Sequence, residues 1–463
     1  MQNLSVDVAI IGAGTAGLAA YRAAKANGKT AVLIEGGPYG TTCARVGCMP
    51  SKLLIAAAEA AHEARHTAPF GVHVDGVIRI DGREVMARVK RERDRFVGFV
   101  VNSVEGIPEQ DRLQGYARFI DNTLLQVDEH TQLKAGRVVI ATGSSPAIPA
   151  PFQVFGDLLV VNDNVFDWDT LPRRVAVFGP GVIGVELGQA LSRLGVEVRM
   201  FGASGSLGPL TDPVIRDYAR RALGEEFYLD PKAKVVEMRR DGDEAVIRYV
   251  HLDGGVREER FDYVLVSTGR TPNVQRLGLE NTSLQRDGRG VPLFDPETLQ
   301  CGNAPIFLAG DANNTLTLLH EAADEGKTAG ENAARYPDVR PGLRRAPIGV
   351  VFSDPQMMMV GASFATLAED RFVTGEVSFE DQGRSRVMLK NKGLLHVYAD
   401  KESGRFLGAE MVGPRAEHIA HLLAWSVQQG LTVAQMLDMP FYHPVVEEGL
   451  RTALRDAAAK LAG

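Results

Sequence analysis

Two glycine patterns constrain this chain more strongly than any other feature of its sequence. Each has the form G-x-G-x-x-G; SVDVAII precedes the first, RVAVF precedes the second, and a helix-like segment follows each. The glycines are Gly12, Gly14 and Gly17 in the first pattern and Gly179, Gly181 and Gly184 in the second. Between a strand and a helix, such glycines let backbone amides approach a pyrophosphate. The sequence therefore predicts an α/β fold with two Rossmann-like dinucleotide-binding domains.

An acidic residue strengthens the first of these predictions. The run KTAVLIE is typical of the second strand of the same βαβ unit, and it ends in Glu35. A carboxylate at this place accepts hydrogen bonds from an adenosine ribose. A tight turn that only packs a helix against a strand is the less favoured interpretation.

Two proline-rich stretches indicate where the chain divides. ATGSSPAIPAPF, at 141–152, separates the two fingerprints, and YPDVRPGLRRAPI, at 336–348, precedes a strand-rich C-terminal region. Between them, IFLAGDA is typical of a buried strand that ends in Asp311. The predicted segments are 1–147 and 268–343 for the first nucleotide-binding domain, 148–267 for the second, and 344–463 for an α+β domain.

Composition and charge narrow the class of protein. The chain has 463 residues and a formal net charge of −7, which argues against nucleic acid or an anionic membrane as the main partner. It has no apolar run of about 18 residues, so we expect no membrane-spanning helix. The N-terminus lacks the basic segment of a signal peptide. Because the chain has only three cysteines, we expect a reducing compartment and a cytoplasmic protein.

Two of the cysteines lie close together, in GTTCARVGCMPSK at 40–52. For Cys43 and Cys48 we consider a metal clip, a structural disulfide, a redox couple and chance. A metal would need two more ligands, and Cys301 is the only other thiol, so we predict no metal site. A structural disulfide over so short a gap would gain little from loop closure. A redox couple fits better, because a helix start favours a thiolate.

Six motifs occur in an order that points to one family. They are GAGTAG with Glu35, GTTCARVGCMPSK, ATGSSP, STGRTPN, LAGDA, and YHPVVEE at 442–448. With them the chain resembles the class I pyridine nucleotide–disulfide oxidoreductases over nearly its whole length. The resemblance implies FAD in the first domain, NAD in the second with NADP not excluded, and a C-terminal dimerisation domain. It also implies that Cys43 and Cys48 form a redox-active disulfide.

The resemblance further implies two sets of cofactor-binding residues. For FAD they are Gly12, Gly14, Gly17, Glu35, Lys52, Ala117, Thr142, Gly143, Asp311, Thr317, Leu318, Leu319 and His320. For NAD they are Gly179, Gly181, Gly184, Glu186, Gly202, Val235 and Gly269. Asp311 would face the ribityl chain, and backbone amides around Thr317–His320 would bind the flavin ring.

The catalytic roles implied by the family follow the path of the electrons. Cys43 would exchange with a substrate dithiol, and Cys48 would lie against the flavin ring as a charge-transfer thiolate. Lys52, paired with Glu186, would lie near flavin N5. A solvated surface salt bridge is the ordinary interpretation of such a Lys and Glu, but both residues fall inside family motifs.

His443 and Glu448 are the implied acid–base pair. An imidazole with a pKa of about 6.5 can take up and return a thiol proton at neutral pH. Glu448 would fix the tautomer of the imidazole and raise its basicity. In the family this pair reaches the disulfide of the other chain. The resemblance therefore implies a homodimer whose active sites are shared between subunits.

Within the family, PSK after Cys48 resembles the dihydrolipoyl dehydrogenase branch. This implies oxidation of protein-bound dihydrolipoamide by NAD+, with lipoyl domains of a 2-oxo acid dehydrogenase or glycine cleavage complex as partners. Tyr442 and Val445 depart from the branch, which usually reads H-x-H-P-T where this chain reads FYHPVV. A glutathione reductase-like enzyme or another small-disulfide reductase stays open, as does a flavin-binding redox sensor or structural subunit.

The nicotinamide preference is the least defined of these expectations. NAD-using relatives usually carry a glutamate at the end of the second strand of the second domain, where this chain has Gly202. The following Ala203 and Ser204 provide no arginine for a 2′-phosphate. We therefore expect NAD(H) use with modest discrimination, and a sharper preference for NAD in Gly202→Glu.

Overall fold

The computed structural model describes residues 1–463. Its backbone contacts divide the chain into two compact units, and each fingerprint lies in a different unit. The first unit contains Met1–Pro50, Lys90–Ala147 and Arg270–Arg344, and the second contains Ser51–Val89, Ile148–Gly269 and Arg345–Gly463. The four segments expected from the sequence stay a prediction.

The secondary structure alternates strands and helices in the N-terminal part and becomes strand-rich near the C-terminus. The strands are β1 Gln2–Ile11, β2 Ala31–Glu35, β3 Arg112–Gln114, β4 Ala117–Phe119, β5 Leu124–Val127, β6 Thr131–Ile140, β7 Ser144–Pro146, β8 Leu159–Val160, β9 Arg174–Phe178, β10 Glu197–Phe201, β11 Tyr228–Asp230, β12 Lys234–Asp241, β13 Glu244–Val250, β14 Val256–Phe261, β15 Tyr263–Val266, β16 Arg270–Pro272, β17 Ile306–Leu308, β18 Ile348–Val351, β19 Gln356–Gly361, β20 Phe372–Ser378, β21 Leu394–Asp400 and β22 Phe406–Gly413. The α-helices are α1 Thr15–Ala26, α2 Thr42–Val46, α3 Cys48–Arg65, α4 Gly82–Glu105, α5 Asn162–Val165, α6 Val182–Arg193, α7 Pro213–Gly224, α8 Leu319–Arg335, α9 Gly383–Val387, α10 Ala416–Gln428, α11 Val433–Leu437 and α12 Glu448–Ala462. Short 3₁₀ turns cover Ala68–Phe70, Glu109–Asp111, Ala150–Leu158, Leu279–Asn281, Gly310–Asn313, Phe364–Thr366 and Glu369–Arg371.

A seven-stranded sheet forms the centre of the first unit. β3, β2, β1 and β6 run parallel in that order, and β17 pairs in parallel with β6. β5 and β4 extend the sheet in the antiparallel sense. Val8, Ala9 and Ile10 of β1 are fully buried, as expected for a central strand covered on both faces. This burial explains the unbroken apolar run before the first fingerprint.

Helix α8 packs closely on α1 in the same unit, because small residues line the contact. A Cβ on Gly326 of α8 would lie 2.7 Å from the Cα of Ala16, and one on Gly330 would lie 2.7 Å from the Cα of Ala20. Larger side chains at these two places would force the helices apart. The close packing brings Gly326, in the middle of α8, beside the first turn of α1.

Three sheets make up the second unit. β11, β10, β9, β15 and β8 form a parallel sheet in that order, and β12, β13 and β14 form an antiparallel one. The C-terminal sheet is antiparallel, in the order β18, β19, β22, β21 and β20. Helix α12 lies against β20, where Gly375 leaves no room for a Cβ beside Ala457 at 2.6 Å. This packing holds the start of α12, and so Glu448, in a defined place.

The predicted α/β class is confirmed, with two Rossmann-like βαβ units and a C-terminal α+β part. One strand end differs from expectation: β17 ends at Leu308, and Asp311 lies in the 3₁₀ turn Gly310–Asn313. The chain turns there because Gly310 adopts a φ of +70°. No helix is both long and apolar enough to cross a membrane.

Candidate active site and nucleotide-binding residues

The three glycines of the first fingerprint have different surroundings. Gly12 adopts a φ of +109°, and a Cβ there would lie 2.9 Å from the carbonyl carbon of Ala141. A Cβ on Gly17 would lie 2.9 Å from the carbonyl carbon of Gly12. A Cβ on Gly14, at the N-cap of α1, would meet nothing within 4 Å. Two glycines therefore permit close packing, and the third leaves the helix N-terminus open to an approaching phosphate.

Glu35 occupies the end of β2 expected from the sequence. Its Oε2 accepts a hydrogen bond from the backbone N–H of Ala13 at 2.8 Å, and its Oε1 accepts one from Gly37 at 2.8 Å. Both oxygens are thus oriented by backbone groups beside the glycine turn. A carboxylate oxygen has further lone pairs, so Glu35 can also accept from ribose hydroxyls.

Asp311 and Thr142 lie on the same side of the first unit. The Oδ2 of Asp311 accepts a hydrogen bond from Ser144 Oγ at 2.8 Å, and Arg270 lies 3.8 Å away. The Oγ1 of Thr142 is buried without a hydrogen-bond partner, and a Cβ on the adjacent Gly143 would meet nothing within 4 Å. A buried hydroxyl of this kind needs a partner, and a polar cofactor group would provide it. These residues fit FAD.

The remaining residues expected around FAD surround the start of α8 or lie in the sheet. Thr317 and Leu318 precede the helix, and the N–H of Leu318 donates to the carbonyl of Leu316 at 2.9 Å. The helix begins at Leu319, and the backbone N–H groups of Leu319 and His320 belong to its first turn, which has no intrahelical acceptors for them. The Nε2 of His320 is buried without a hydrogen-bond partner. Ala117 is buried in β4. The backbone amides of this turn are therefore free of intrahelical partners, as binding of a flavin ring requires.

The second fingerprint repeats the geometry of the first. A Cβ on Gly179 would lie 2.8 Å from the carbonyl carbon of Ser267, and one on Gly184 would lie 2.6 Å from Ser267 Oγ. A Cβ on Gly181 or Gly269 would meet nothing within 4 Å. Gly181 is the N-cap of α6. The second unit therefore presents an open helix N-terminus that fits a second dinucleotide.

Gly202 corresponds by register to Glu35. In the first unit the N–H of Gly12 donates to the carbonyl of Ile34, the residue before Glu35. In the second unit the N–H of Gly179 donates to the carbonyl of Phe201, the residue before Gly202, so Gly202 matches Glu35. A Cβ on Gly202 would lie 2.8 Å from the carbonyl carbon of Pro231. Backbone therefore fills the place of an acidic side chain. This contact argues against the expectation that Gly202→Glu would sharpen the preference for NAD. Val235 lies half-buried in β12.

Lys52 and Glu186 form an ion pair within the second unit. The Nζ of Lys52 lies 2.7 Å from Oε2 of Glu186, whose side chain is only 5% exposed. The other oxygen accepts the backbone N–H of Phe352 at 3.0 Å, and Lys52 also lies 4.5 Å from the centre of the Phe352 ring. Because both carboxylate oxygens are engaged, Glu186 holds the ammonium group of Lys52 in one place.

The two cysteines stand at the starts of two consecutive helices. Cys43 is half-buried in α2, and Cys48 is the exposed first residue of α3. Lys52 follows Cys48 by one helical turn, so the two share a face of α3. Thr41, at the N-cap of α2, adopts a φ of 60° with a ψ of 152°, a region almost confined to glycine. The backbone before Cys43 is therefore strained.

His443 and Glu448 are brought together at the start of α12. The Nδ1 of His443 lies 3.0 Å from Oε2 of Glu448, while the imidazole is 81% exposed. The hydrogen bond from His443 holds the pKa of Glu448 below its usual value, helped by the backbone N–H of Val445 and the charge of Arg451. The carboxylate thus fixes Nδ1 and leaves Nε2 for a proton donor or acceptor.

Three contacts near these sites were not predicted from the sequence. Phe352 anchors Glu186 through its backbone, and Arg451 donates to Glu448 Oε1 at 2.9 Å. Glu325, 3% exposed, accepts from Gly310 N–H at 2.8 Å and so fixes the turn that carries Asp311. Only Arg451 had a local signal, since a basic residue three positions after an acid on a helix favours an ion pair. No group of three or more His, Cys, Asp or Glu side chains has a metal-binding arrangement.

Comparisons with known proteins agree with this geometry. The sequence profile described as pyridine nucleotide-disulphide oxidoreductase matches residues 6–326, and that of the family's dimerisation domain matches residues 348–454. A dihydrolipoyl dehydrogenase of Haloferax volcanii is 32% identical over 97% of this chain and 96% of its own length. A mercuric reductase of Shigella flexneri is 31% identical over 97% of this chain and 80% of its own length.

Solved structures share the fold. The HOCl-induced flavoprotein disulfide reductase RclA from Escherichia coli superposes with a TM-score of 0.80 at 22% sequence identity, covering 98% of this chain and 99% of its own. The family matched by these profiles implies FAD and a pyridine nucleotide as cofactors, and its dimerisation domain supports a homodimer. With both glycine fingerprints, the cysteine pair and the two matched domains in place, the chain belongs to the pyridine nucleotide–disulphide oxidoreductase family.

Proposed function

We propose that this protein oxidises protein-bound dihydrolipoamide to lipoamide and reduces NAD+, as a dihydrolipoyl dehydrogenase does. The observation that carries the proposal is the His443–Glu448 pair, whose Nδ1 is held at 3.0 Å by the carboxylate while the ring is 81% exposed. An exposed, oriented imidazole suits a proton acceptor for a substrate thiol that arrives from solvent. The reaction releases NADH, one proton and the cyclic disulfide.

The cysteines receive the two electrons in this proposal. A substrate thiolate attacks Sγ of Cys43, the disulfide to Cys48 breaks, and Cys48 leaves as a thiolate. The second substrate thiol, deprotonated by His443, then displaces Cys43, which closes the lipoamide disulfide and leaves both cysteines reduced. Cys48 opens α3, where the helix dipole favours a thiolate. Bound FAD supplies the two-electron carrier between the reduced cysteines and NAD+.

The other residues bind and orient in this scheme. Gly14 and Gly181 leave the two helix N-termini open for the pyrophosphates of FAD and NAD+. Glu186 holds the ammonium group of Lys52, which would lie near the flavin in this proposal. His443 acts on the disulfide of the other subunit, so each active site is built from two chains. We also propose lipoyl domains as partners and a cytoplasmic location, the latter on the small number of cysteines.

One observation supports a second candidate, the reduction of a different disulfide. Tyr442 is 81% exposed beside His443, and Phe441 stands where relatives that act on lipoamide usually have a histidine. A phenol ring at this place changes the shape and polarity of the dithiol-binding wall. Electrons would then pass through the same cysteines in the opposite direction, from NAD(P)H to a small disulfide such as glutathione disulfide.

A substrate panel separates the two candidates. Purified protein loaded with FAD is assayed with dihydrolipoamide and NAD+, and in the reverse direction with lipoamide, glutathione disulfide and cystine. We expect kcat/KM for the lipoyl substrate to exceed that for every other disulfide by about 100-fold or more, roughly 2.7 kcal/mol of discrimination. A higher value for another disulfide would establish the second candidate.

Two histidine variants provide the matched control. His443→Gln removes the proposed base, and we expect kcat to fall about 100-fold or more. His418→Gln changes an exposed histidine on α10 and should leave kcat unchanged. Equal effects of the two substitutions would contradict the assigned role of His443. Lack of turnover with every disulfide, in a protein that retains FAD, would favour the redox sensor.

A further inference from the structure

Arg451 completes a three-residue arrangement at the start of α12. Its Nη2 lies 2.9 Å from Oε1 of Glu448, while Oε2 lies 3.0 Å from Nδ1 of His443. The backbone N–H of Val445 donates to Oε2 at 3.3 Å. Nδ1 of His443 also lies 3.2 Å from Oε1, so the imidazole contacts both carboxylate oxygens and shares Oε1 with the guanidinium.

Arg451 is itself held from the other side. Its guanidinium carbon lies 5.6 Å from the centre of the Phe441 ring, a cation–π distance, and Phe441 packs against the C-terminal core. The side chain is 32% exposed, whereas that of Glu448 is 18% exposed. An arginine held by both an aromatic ring and a carboxylate loses less freedom on pairing than an isolated surface arginine.

We propose that Arg451 is a positioning residue that holds the carboxylate of Glu448 against His443 through the shared Oε1 and limits how strongly this pair takes up a proton. The proposal rests on the proposed role of His443 as the acid–base group. The carboxylate alone favours the imidazolium, because opposite charges attract across a short hydrogen bond. A guanidinium bound to Oε1 withdraws part of that negative charge.

The charges around the pair are few. The pKa of Glu448 lies below its usual value through the His443 hydrogen bond, the Val445 N–H and the charge of Arg451, against a smaller opposing effect of burial. From α9, the neutral amide of Gln382 donates to the carbonyl of Val445. Arg451 is therefore the cation whose removal changes the field at His443 most directly.

The catalytic consequence concerns both directions of proton transfer. A base that holds its proton too tightly returns it slowly, and general acid–base catalysis is most efficient when the pKa lies near the working pH. With Arg451 present, the neutral arrangement carries no net charge and the protonated one carries a single positive charge. Without it, the protonated form becomes neutral and so more favourable.

An ordinary ion pair between neighbouring turns of a helix is the competing interpretation. Such pairs contribute roughly 0.3–0.5 kcal/mol to stability and have no effect on catalysis. The same helix contains a suitable control, since Lys460 lies 2.7 Å from Asp456 one turn later. A purely structural role predicts equal behaviour of the two pairs.

The test titrates His443 directly, without any substrate. The imidazole is followed by NMR in FAD-loaded protein labelled with ¹³C-histidine, and its signal is assigned by loss in His443→Gln. In Arg451→Gln we expect the imidazole midpoint to rise by about 0.5–1 pH unit. In Arg451→Lys the retained charge should reverse at least half of that rise, and Lys460→Gln should leave the midpoint unchanged.

The pH profile of kcat/KM gives the second measurement. In Arg451→Gln the part of the pH profile that is assigned to His443 should shift to higher pH by the same amount as the NMR midpoint. An unchanged midpoint in Arg451→Gln overturns the proposal, and so does an equal change in Lys460→Gln. A shifted midpoint without a shifted kinetic limb keeps the positioning role but shows that His443 is not the acid–base group, which is a failure of the proposed function instead.

Discussion

The glycines of the second fingerprint have separable roles, and two alanine substitutions distinguish them. Gly181 caps α6 in an extended conformation, with φ −79° and ψ −171°, that alanine also adopts. Its Cβ would meet nothing within 4 Å, so the fold has room for a methyl group. The cost to folding is the weaker helix cap of alanine, below about 1 kcal/mol.

The same methyl group would stand where a pyrophosphate approaches the helix N-terminus. We expect Gly181→Ala to keep its FAD and its secondary structure but to raise KM for NADH about 10-fold or more, a loss of roughly 1.4 kcal/mol. Gly184→Ala differs, because its Cβ would lie 2.6 Å from Ser267 Oγ and nearer still to the carbonyl oxygen of Gly179. Overpacking of this kind costs about 1–3 kcal/mol or more.

NADH oxidation by ferricyanide measures the nucleotide site without a disulfide substrate, and thermal unfolding measures stability. Gly14→Ala is the matched control in the other unit, since its Cβ also meets nothing within 4 Å; it should lower FAD content and leave the NADH site intact in the loaded fraction. An unchanged KM in Gly181→Ala would refute the assignment of this helix N-terminus to the nucleotide. Wild-type stability in Gly184→Ala would refute the packing argument.

Four further predictions concern other parts of the chain. Because backbone fills the Cβ position of Gly202, Gly202→Glu should lower the melting temperature without improving the NAD preference, and a stable variant with better NAD selectivity would contradict this packing argument. Wild-type protein should prefer NAD over NADP by less than about 100-fold in kcat/KM. Co-refolding Cys43→Ser with His443→Ala should restore dithiol oxidation through one intact site per mixed dimer, whereas inactive mixed dimers would exclude a shared site. Asp212 is buried, which alone would raise its pKa. A hydrogen bond from His396 at 2.7 Å and the charge of His396 hold the pKa of Asp212 below its usual value. Its stabilising effect is therefore present at neutral pH and lost as the pH falls below about 4. Asp212→Asn should lower the free energy of unfolding in urea by about 1–3 kcal/mol at pH 7 and by much less near a pH of about 2.

The fold class was predictable from the sequence because its main signals are local. A G-x-G-x-x-G pattern after an apolar run predicts its own strand, turn and helix. Four of the six glycines lie in the two turns, and Gly17 and Gly184 lie in the first turns of α1 and α6. His443 and Glu448 are likewise separated by a single short turn, so their pairing follows from spacing within the YHPVVEE motif. The antiparallel sheet of β12, β13 and β14 carried no comparable signal, since its alternating charged residues are also typical of surface loops.

Tertiary structure alone decided which distant groups meet the candidate sites. The backbone N–H of Phe352 donates to Glu186, 166 residues away in sequence. Glu325 of α8 accepts the N–H of Gly310, in the turn that carries Asp311. The backbone of Pro231 fills the space beside Gly202, which turned an apparent vacancy for an acid into a packed contact. Sequence patterns predict interactions between residues of the same helix, strand or turn. Contacts between elements depend on register and packing, which are set by the burial of the whole core and carry no signature at either residue.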